Sequence, residues 1–389
     1  MNQLDSTKQV QYFKGLDVLR FFAAALVVFH HSETIRTKNG FHSMEWLSFF
    51  RNGTNAVHFF FVLSGFLITY LLLKENHETK QTNVGTFYLK RILRIWPLYF
   101  LLISIGVFML PVAFGILHTD YTLPFTIGET WYYFLFFMPG MVTSLFGNYL
   151  LNPLWSIGVE EIFYLFWAPI FKIFKGKIKA VLYSVILIKL ILLGFGIYIL
   201  KDAVFNELVT MLAFEGMAIG GLGAYYFFNG IEFRDLGIFK RYYKFGIYSV
   251  LFCYLGFNEN IHNNVWDFFF KNGFITKIVM DCFYGYVIID VSIVSNYKLM
   301  QNKFLNYLGS ISYGIYMYHM LCIFAIIQFL KKPLVGLNST VSFFIFYTVV
   351  FTFVIGVSAL SKGSFEQFFL SLKNKKFGFK IPSPIPVNL

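Results

Sequence analysis

Arg20 and His31 stand eleven positions apart in KGLDVLRFFAAALVVFHHSE. On a helix advancing about 100° per residue they return to within about 20° of one face, separated by about 16 Å along the axis, while His30 points about 80° away. One face therefore carries a cation at one edge and an imidazole about half a bilayer further along. A cation can hold an anion, and an imidazole can serve as a general base. Taken alone, the pair also reads as a snorkelling anchor and a satisfied core histidine.

Three other stretches hold polar groups of the same kind. In FYLKRILRIWPLYF, Arg91 and Arg94 share a face beside Lys90. Two planar guanidiniums suit bidentate phosphate binding, and they also suit the ordinary positive charge of a membrane edge. In NPLWSIGVEEIFYLFW, the adjacent carboxylates Glu160 and Glu161 fall inside an apolar segment, with Tyr164 on the Glu160 face. In LGSISYGIYMYHM, Ser312, Tyr316 and His319 recur at i, i+4 and i+7. His31, Glu160 and His319 are expected at similar depth, with Asp281 a further member. Ser64 and Gly65 in HFFFVLSGFLIT allow close helix approach or admit a substrate, and Asp290 is expected to pair with a neighbouring cation.

These groups matter because of what surrounds them. The chain has 389 residues, 57% apolar, 21% aromatic and 13% charged, far from the soluble average of about 45–50% apolar and about 25% charged. That composition excludes a soluble globule, a disordered chain and a disulfide scaffold. The net charge of +12 has to be placed relative to a membrane before it signifies anything, and no nucleic-acid partner is expected. Cys253, Cys282 and Cys322 lie in apolar stretches without CxxC spacing, so neither a disulfide framework nor a metal site is expected.

The elements that must position these side chains are membrane helices. About 20 apolar residues cross the ~30 Å hydrocarbon core, and ten segments qualify: 16–33, 55–73, 92–116, 155–173, 180–200, 207–228, 243–257, 274–295, 304–329 and 340–360. The expected fold is all-α, a polytopic bundle of about ten transmembrane helices. A shorter apolar stretch, 131–141, reads as an interfacial or re-entrant helix ended by Pro139 and Gly140. Most of the 32 lysines and arginines fall in the loops on the N-terminal side, which predicts both termini in the cytoplasm. The N-terminus is polar up to residue 15, so no cleavable signal peptide is expected. Residues 1–362 form the membrane domain, and 363–389 a basic amphipathic tail that rests on an anionic leaflet through Phe365, Phe368, Phe369 and Leu372.

The order of these motifs resembles a known family. Arg20 with His31, then FFFVLSGFLI, FYLKRILRIWPLY, LWSIGVEEIFYLFW and ISYGIYMYH are similar to the ordered motifs of the membrane-bound acyltransferase-3 family. Together they extend from about residue 15 to about residue 320. The resemblance implies a ten-helix membrane protein that moves an acyl group, commonly acetyl, from cytoplasmic acyl-CoA to a hydroxyl of a glycan or glycolipid on the far side. It implies His31 as the catalytic histidine, Glu160 in the active site, and Arg20, Arg91 and Arg94 at the donor. His30 departs from the pattern by preceding His31. No fused hydrolase-like domain is expected after the tail, so the chain would transfer directly or through a separate partner enzyme.

On that reading His31 is a general base or acyl acceptor, and Glu160 orients its ring. His319, Tyr316 and Ser64 would then hold the acceptor or the thioester carbonyl. Acyl-CoA is expected as a substrate, with no permanently bound cofactor and no metal. The aromatic loop at about 117–154, with Trp131, Tyr132 and Tyr149, reads as an acceptor surface or as an interfacial belt. The competing class is a transporter of a polysaccharide or lipid-linked saccharide, because buried His and Glu also serve proton relays.

Overall fold

The computed structural model describes residues 13–116, 122–231, 233, 236–293 and 297–377. Its helices are, in order, α1 (Lys14–Lys38), α2 (Gly53–Thr79), α3 (Val84–Ile103), α4 (Leu110–Ile116), α5 (Ile127–Leu135), α6 (Pro139–Phe146), α7 (Trp155–Ile173), α8 (Ile178–Phe195) and α9 (Ala203–Met211). There follow α10 (Phe214–Phe228), α11 (Arg241–Phe257), α12 (Asn264–Phe270), α13 (Gly273–Ile293), α14 (Lys303–Ser310), α15 (Ser312–Val335), α16 (Ser339–Ser361) and α17 (Gln367–Phe377). No strand occurs among the described residues.

Eight helical stretches among the described residues are long and apolar enough to cross a membrane: Gly15–Lys38, Gly53–Thr79, Val84–Ala113, Asn152–Ile173, Lys175–Leu200, Val204–Phe228, Ser312–Val335 and Ser339–Leu372. The protein is an all-α polytopic membrane bundle. The other two expected spans are present as helices of a different character. α11 has only 17 residues, and α13 carries Lys277, Asp281 and Asp290.

The bundle is organised around α2. Its interior residues Phe61, Val62, Leu63, Phe66, Ile68 and Leu72 are almost wholly buried, and α10 lies along it. The contact depends on two glycines. A Cβ at Gly65 would fall 1.9 Å from the Met217 carbonyl oxygen, and one at Gly220 would fall 1.9 Å from that of Val62. Each backbone thus occupies the space a side chain would need on the other, the use that small residues serve where no water drives helices together.

Several boundaries move from their expected places, each for a local reason. α1 runs on to Lys38, which takes Glu33 and Arg36 out of the loop and into a buried ion pair. α3 begins at Val84 because the Asn83 side chain caps it, accepting from the Thr86 N–H at 2.9 Å. Arg91 and Arg94 therefore stand about two and about three turns inside a helix. The span 304–329 breaks at Ile311 between α14 and α15, where Gly309 lies against the Asp17 carbonyl. Pro139 does not end a helix. α5 closes at Leu135, the chain turns through Phe137 with φ of 57°, and Pro139 opens α6 at a position that needs no N–H.

The expected tail also differs. The helix of α16 passes through a π-helical turn (Lys362–Glu366) into α17, which packs beside α3. A boundary at 362 thus falls inside a continuous helix, and Lys362 itself donates to the Ser310 carbonyl at 2.9 Å. Residues 378–389 of the expected tail, and 117–121 of the aromatic loop, lie outside the described residues.

Candidate active site

α1, α2, α3, α7 and α15 enclose a cavity of about 280 Å³. Its wall carries Arg20 from α1, Ser64 from α2, Arg91 and Arg94 from α3, Glu160 and Tyr164 from α7, and Ser312 and Tyr316 from α15. Six of the eight predicted site residues therefore share one space: Arg20, Ser64, Arg91, Arg94, Glu160 and Tyr316. They come from five helices, and only the fold brings them together.

The cations are held in different ways. Arg20 pairs with Asp17 one turn earlier, at 2.5 Å. The Arg91 guanidinium lies over the Tyr164 ring at 5.4 Å and the Phe87 ring at 5.8 Å, which fixes a planar group while leaving its edge free to donate. Arg94 is exposed at the cavity rim. Glu160 accepts from the Ser64 hydroxyl at 3.0 Å and from the Tyr164 hydroxyl at 2.9 Å, and those two hydroxyls are 2.9 Å apart. Glu161 faces elsewhere and accepts from the Trp96 indole N–H at 2.8 Å.

The two remaining predicted residues meet just beyond the cavity. His31 Nδ1 lies 3.1 Å from His319 Nε2 and 3.2 Å from the Val27 carbonyl oxygen. His319 Nδ1 lies 2.5 Å from the Tyr316 carbonyl oxygen. The Tyr316 ring, which lines the cavity, has its centroid 5.7 Å from that of His319. Its hydroxyl donates to the Pro153 carbonyl at 2.9 Å and contacts the Ser156 hydroxyl at 2.7 Å. His30 turns away as the helix phase predicts, with Nδ1 3.3 Å from the Phe50 carbonyl oxygen and its ring packed on Gly53.

Two expectations change here. Glu160 was expected to orient the His31 ring, but its hydrogen bonds go to Ser64 and Tyr164 on the cavity wall, and the partner of His31 is His319. Asp281 was expected near the same depth as His31. It does not join the His31–His319 pair: its Oδ1 lies 3.3 Å from His58 Nδ1, on the α2–α13 side of the bundle near the Lys189–Glu215 pair. Asp290 does find its cation, Lys244, and also accepts from Tyr248 and Tyr297.

The buried clasp past His31 went unread in the sequence. Glu33 pairs with Arg36 and accepts from the Tyr347 hydroxyl at 2.7 Å and the Met44 N–H at 2.8 Å. Arg36 is boxed by Phe41, Phe343, Phe346 and Tyr347. The signal was an i, i+3 acid–base pair at the end of an apolar run. Among the described residues no group of three or more His, Cys, Asp or Glu is placed to share a metal ion.

An apolar helical bundle thus keeps three guanidiniums and two carboxyl groups, those of Asp17 and Glu160, around one cavity, with an imidazole pair just past Tyr316. The chain belongs to the acyltransferase-3 family, whose acyltransferase domain matches residues 13–361. It is similar to a Staphylococcus aureus (strain COL) protein provisionally named an O-acetyltransferase, 27% identical over 346 residues, covering 84% of this chain and 52% of that one. It is also similar to the O-acetyltransferase OatA of S. aureus (strain NCTC 8325 / PS 47), 28% identical over 207 residues, covering 51% of this chain and 31% of that one. The chain thus spans about half the length of the first of these curated relatives. No solved structure matches it.

Proposed function

We propose that this protein is an integral-membrane O-acyltransferase that moves an acyl group, with acetyl the leading case, from cytoplasmic acyl-CoA to a hydroxyl of an extracytoplasmic glycan or glycolipid. The observation that carries this reading is the single cavity shared by Arg20, Arg91, Arg94 and Glu160, ending at Tyr316 beside the His31–His319 pair. Guanidiniums at the mouth suit the phosphates of a coenzyme A donor. The walls beyond them, Phe60, Leu63 and Leu67, suit its uncharged arm.

The chemistry then needs one proton moved. His31 takes the proton of the acceptor hydroxyl as its oxygen attacks the thioester carbonyl carbon. The carbon–sulfur bond breaks, and the thiolate leaves with the proton returned from the His31 imidazolium, so an ester and a free thiol result. A lipid bilayer surrounds the reaction, and the acceptor approaches from the face opposite the arginines.

Acetyl-CoA binding to the detergent-solubilised protein tests the donor half. The wild type is expected to bind saturably, and Arg91→Ala with Arg94→Ala to bind at least about tenfold more weakly, the loss of one charge-assisted contact or more. Equal binding in both would remove the cavity as the donor site.

A further inference from the structure

Resting on that proposed function, we infer that His319 is a positioning residue that sets the tautomer of His31 and so chooses which nitrogen is the base. A carbonyl oxygen only accepts, so His319 Nδ1, 2.5 Å from the Tyr316 carbonyl, carries the hydrogen. In the neutral ring Nε2 is then the acceptor. That lone pair faces His31 Nδ1 at 3.1 Å, so His31 carries its hydrogen on Nδ1. The Val27 carbonyl, 3.2 Å from the same nitrogen, asks for the same thing. Three acceptors in a row therefore leave His31 with a bare Nε2.

Burial separates the two roles. His319 has no accessible surface, whereas His31 is half-buried. Only His31 can touch a substrate, and His319 acts through it. When His31 gains a proton at Nε2, its Nδ1–H already points at the His319 lone pair, which stabilises the imidazolium without any rearrangement. A carboxylate commonly fills this place beside a catalytic imidazole. Here an imidazole fills it, itself oriented by a backbone carbonyl one turn away on α15, and Glu160 is left free for the cavity wall.

Steady-state transfer from acetyl-CoA in membranes tests this with three substitutions. Gln at 319 can place its amide oxygen near where Nε2 sits and accept from His31, whereas Asn reaches only the Nδ1 position and Ala neither. His319→Asn and His319→Ala should lower kcat by about 100-fold or more, the scale seen when a base loses the partner that fixes its tautomer. Donor KM should stay within about twofold in both, which also shows that the arginine cavity is folded. His319→Gln should recover at least about tenfold of the lost kcat. Wild-type kcat in the Asn or Ala variant, or a Gln variant as impaired as the Asn variant, would overturn the inference. Failure of the underlying reading looks different: no transfer by the wild type, or full transfer by His31→Ala.

Discussion

His31 and His319 stand 288 residues apart in the chain, and their imidazoles meet with 3.1 Å between Nδ1 of one and Nε2 of the other. Neither is placed by its own helix alone. α1 presents His31 on the face that carries Arg20, α15 presents His319 one turn beyond Tyr316, and α15 packs along α1. The site is therefore a property of the bundle, and substitutions divide by which part of it they disturb.

Arg91→Ala and Arg94→Ala, singly, should raise the donor KM by about tenfold while changing kcat much less, because a guanidinium that binds the donor's anionic end contributes equally before and during the reaction. Initial rates against acetyl-CoA concentration read this directly. A fall in kcat at unchanged KM would place these arginines at the reacting carbonyl instead.

Gly65→Ala and Gly220→Ala should each destabilise the bundle by about 1–3 kcal/mol or more, since the added methyl meets a backbone carbonyl that no rotamer can move. Thermal unfolding in detergent would show the shift, and Gly115→Ala, where an added Cβ meets nothing within 4 Å, should leave the midpoint in place. Unchanged midpoints at 65 and 220 would mean that α2 and α10 are further apart than described.

Glu33→Ala should cost about 3–5 kcal/mol, because it leaves the Arg36 charge buried without its partner. Replacing both residues with apolar side chains of similar size should restore much of the loss, since no charge is then stranded. Unfolding midpoints of the single and double variants measure the difference. Equal midpoints in wild type and Glu33→Ala would contradict the buried pairing.

Much of this architecture was legible in the residues, and the reasons are physical. Apolar runs of about 20 residues are long, repeated signals, so nine of the ten expected spans coincide with one of the long membrane-crossing helices or with α13, and α11 covers the tenth. Helix phase correctly separated His30 from His31, because eleven residues close three turns. Partnerships between helices were not legible. Nothing in LWSIGVEEIFYLFW says that Glu160 turns to Ser64, or that a second histidine takes the place expected of it. The Glu33–Arg36 clasp escaped because α1 extends a turn beyond its apolar run, held there by Tyr347 from a distant helix. Pro139 was read as a stop when it serves equally well as a start.

Transfer of labelled acetyl from acetyl-CoA to endogenous glycan, compared in membranes carrying the wild type, His31→Ala or His30→Ala, bears on the whole account. Base-labile label should form with the wild type and with His30→Ala, and should vanish with His31→Ala. Equal label in the wild type and His31→Ala, or loss with His30→Ala alone, would contradict it.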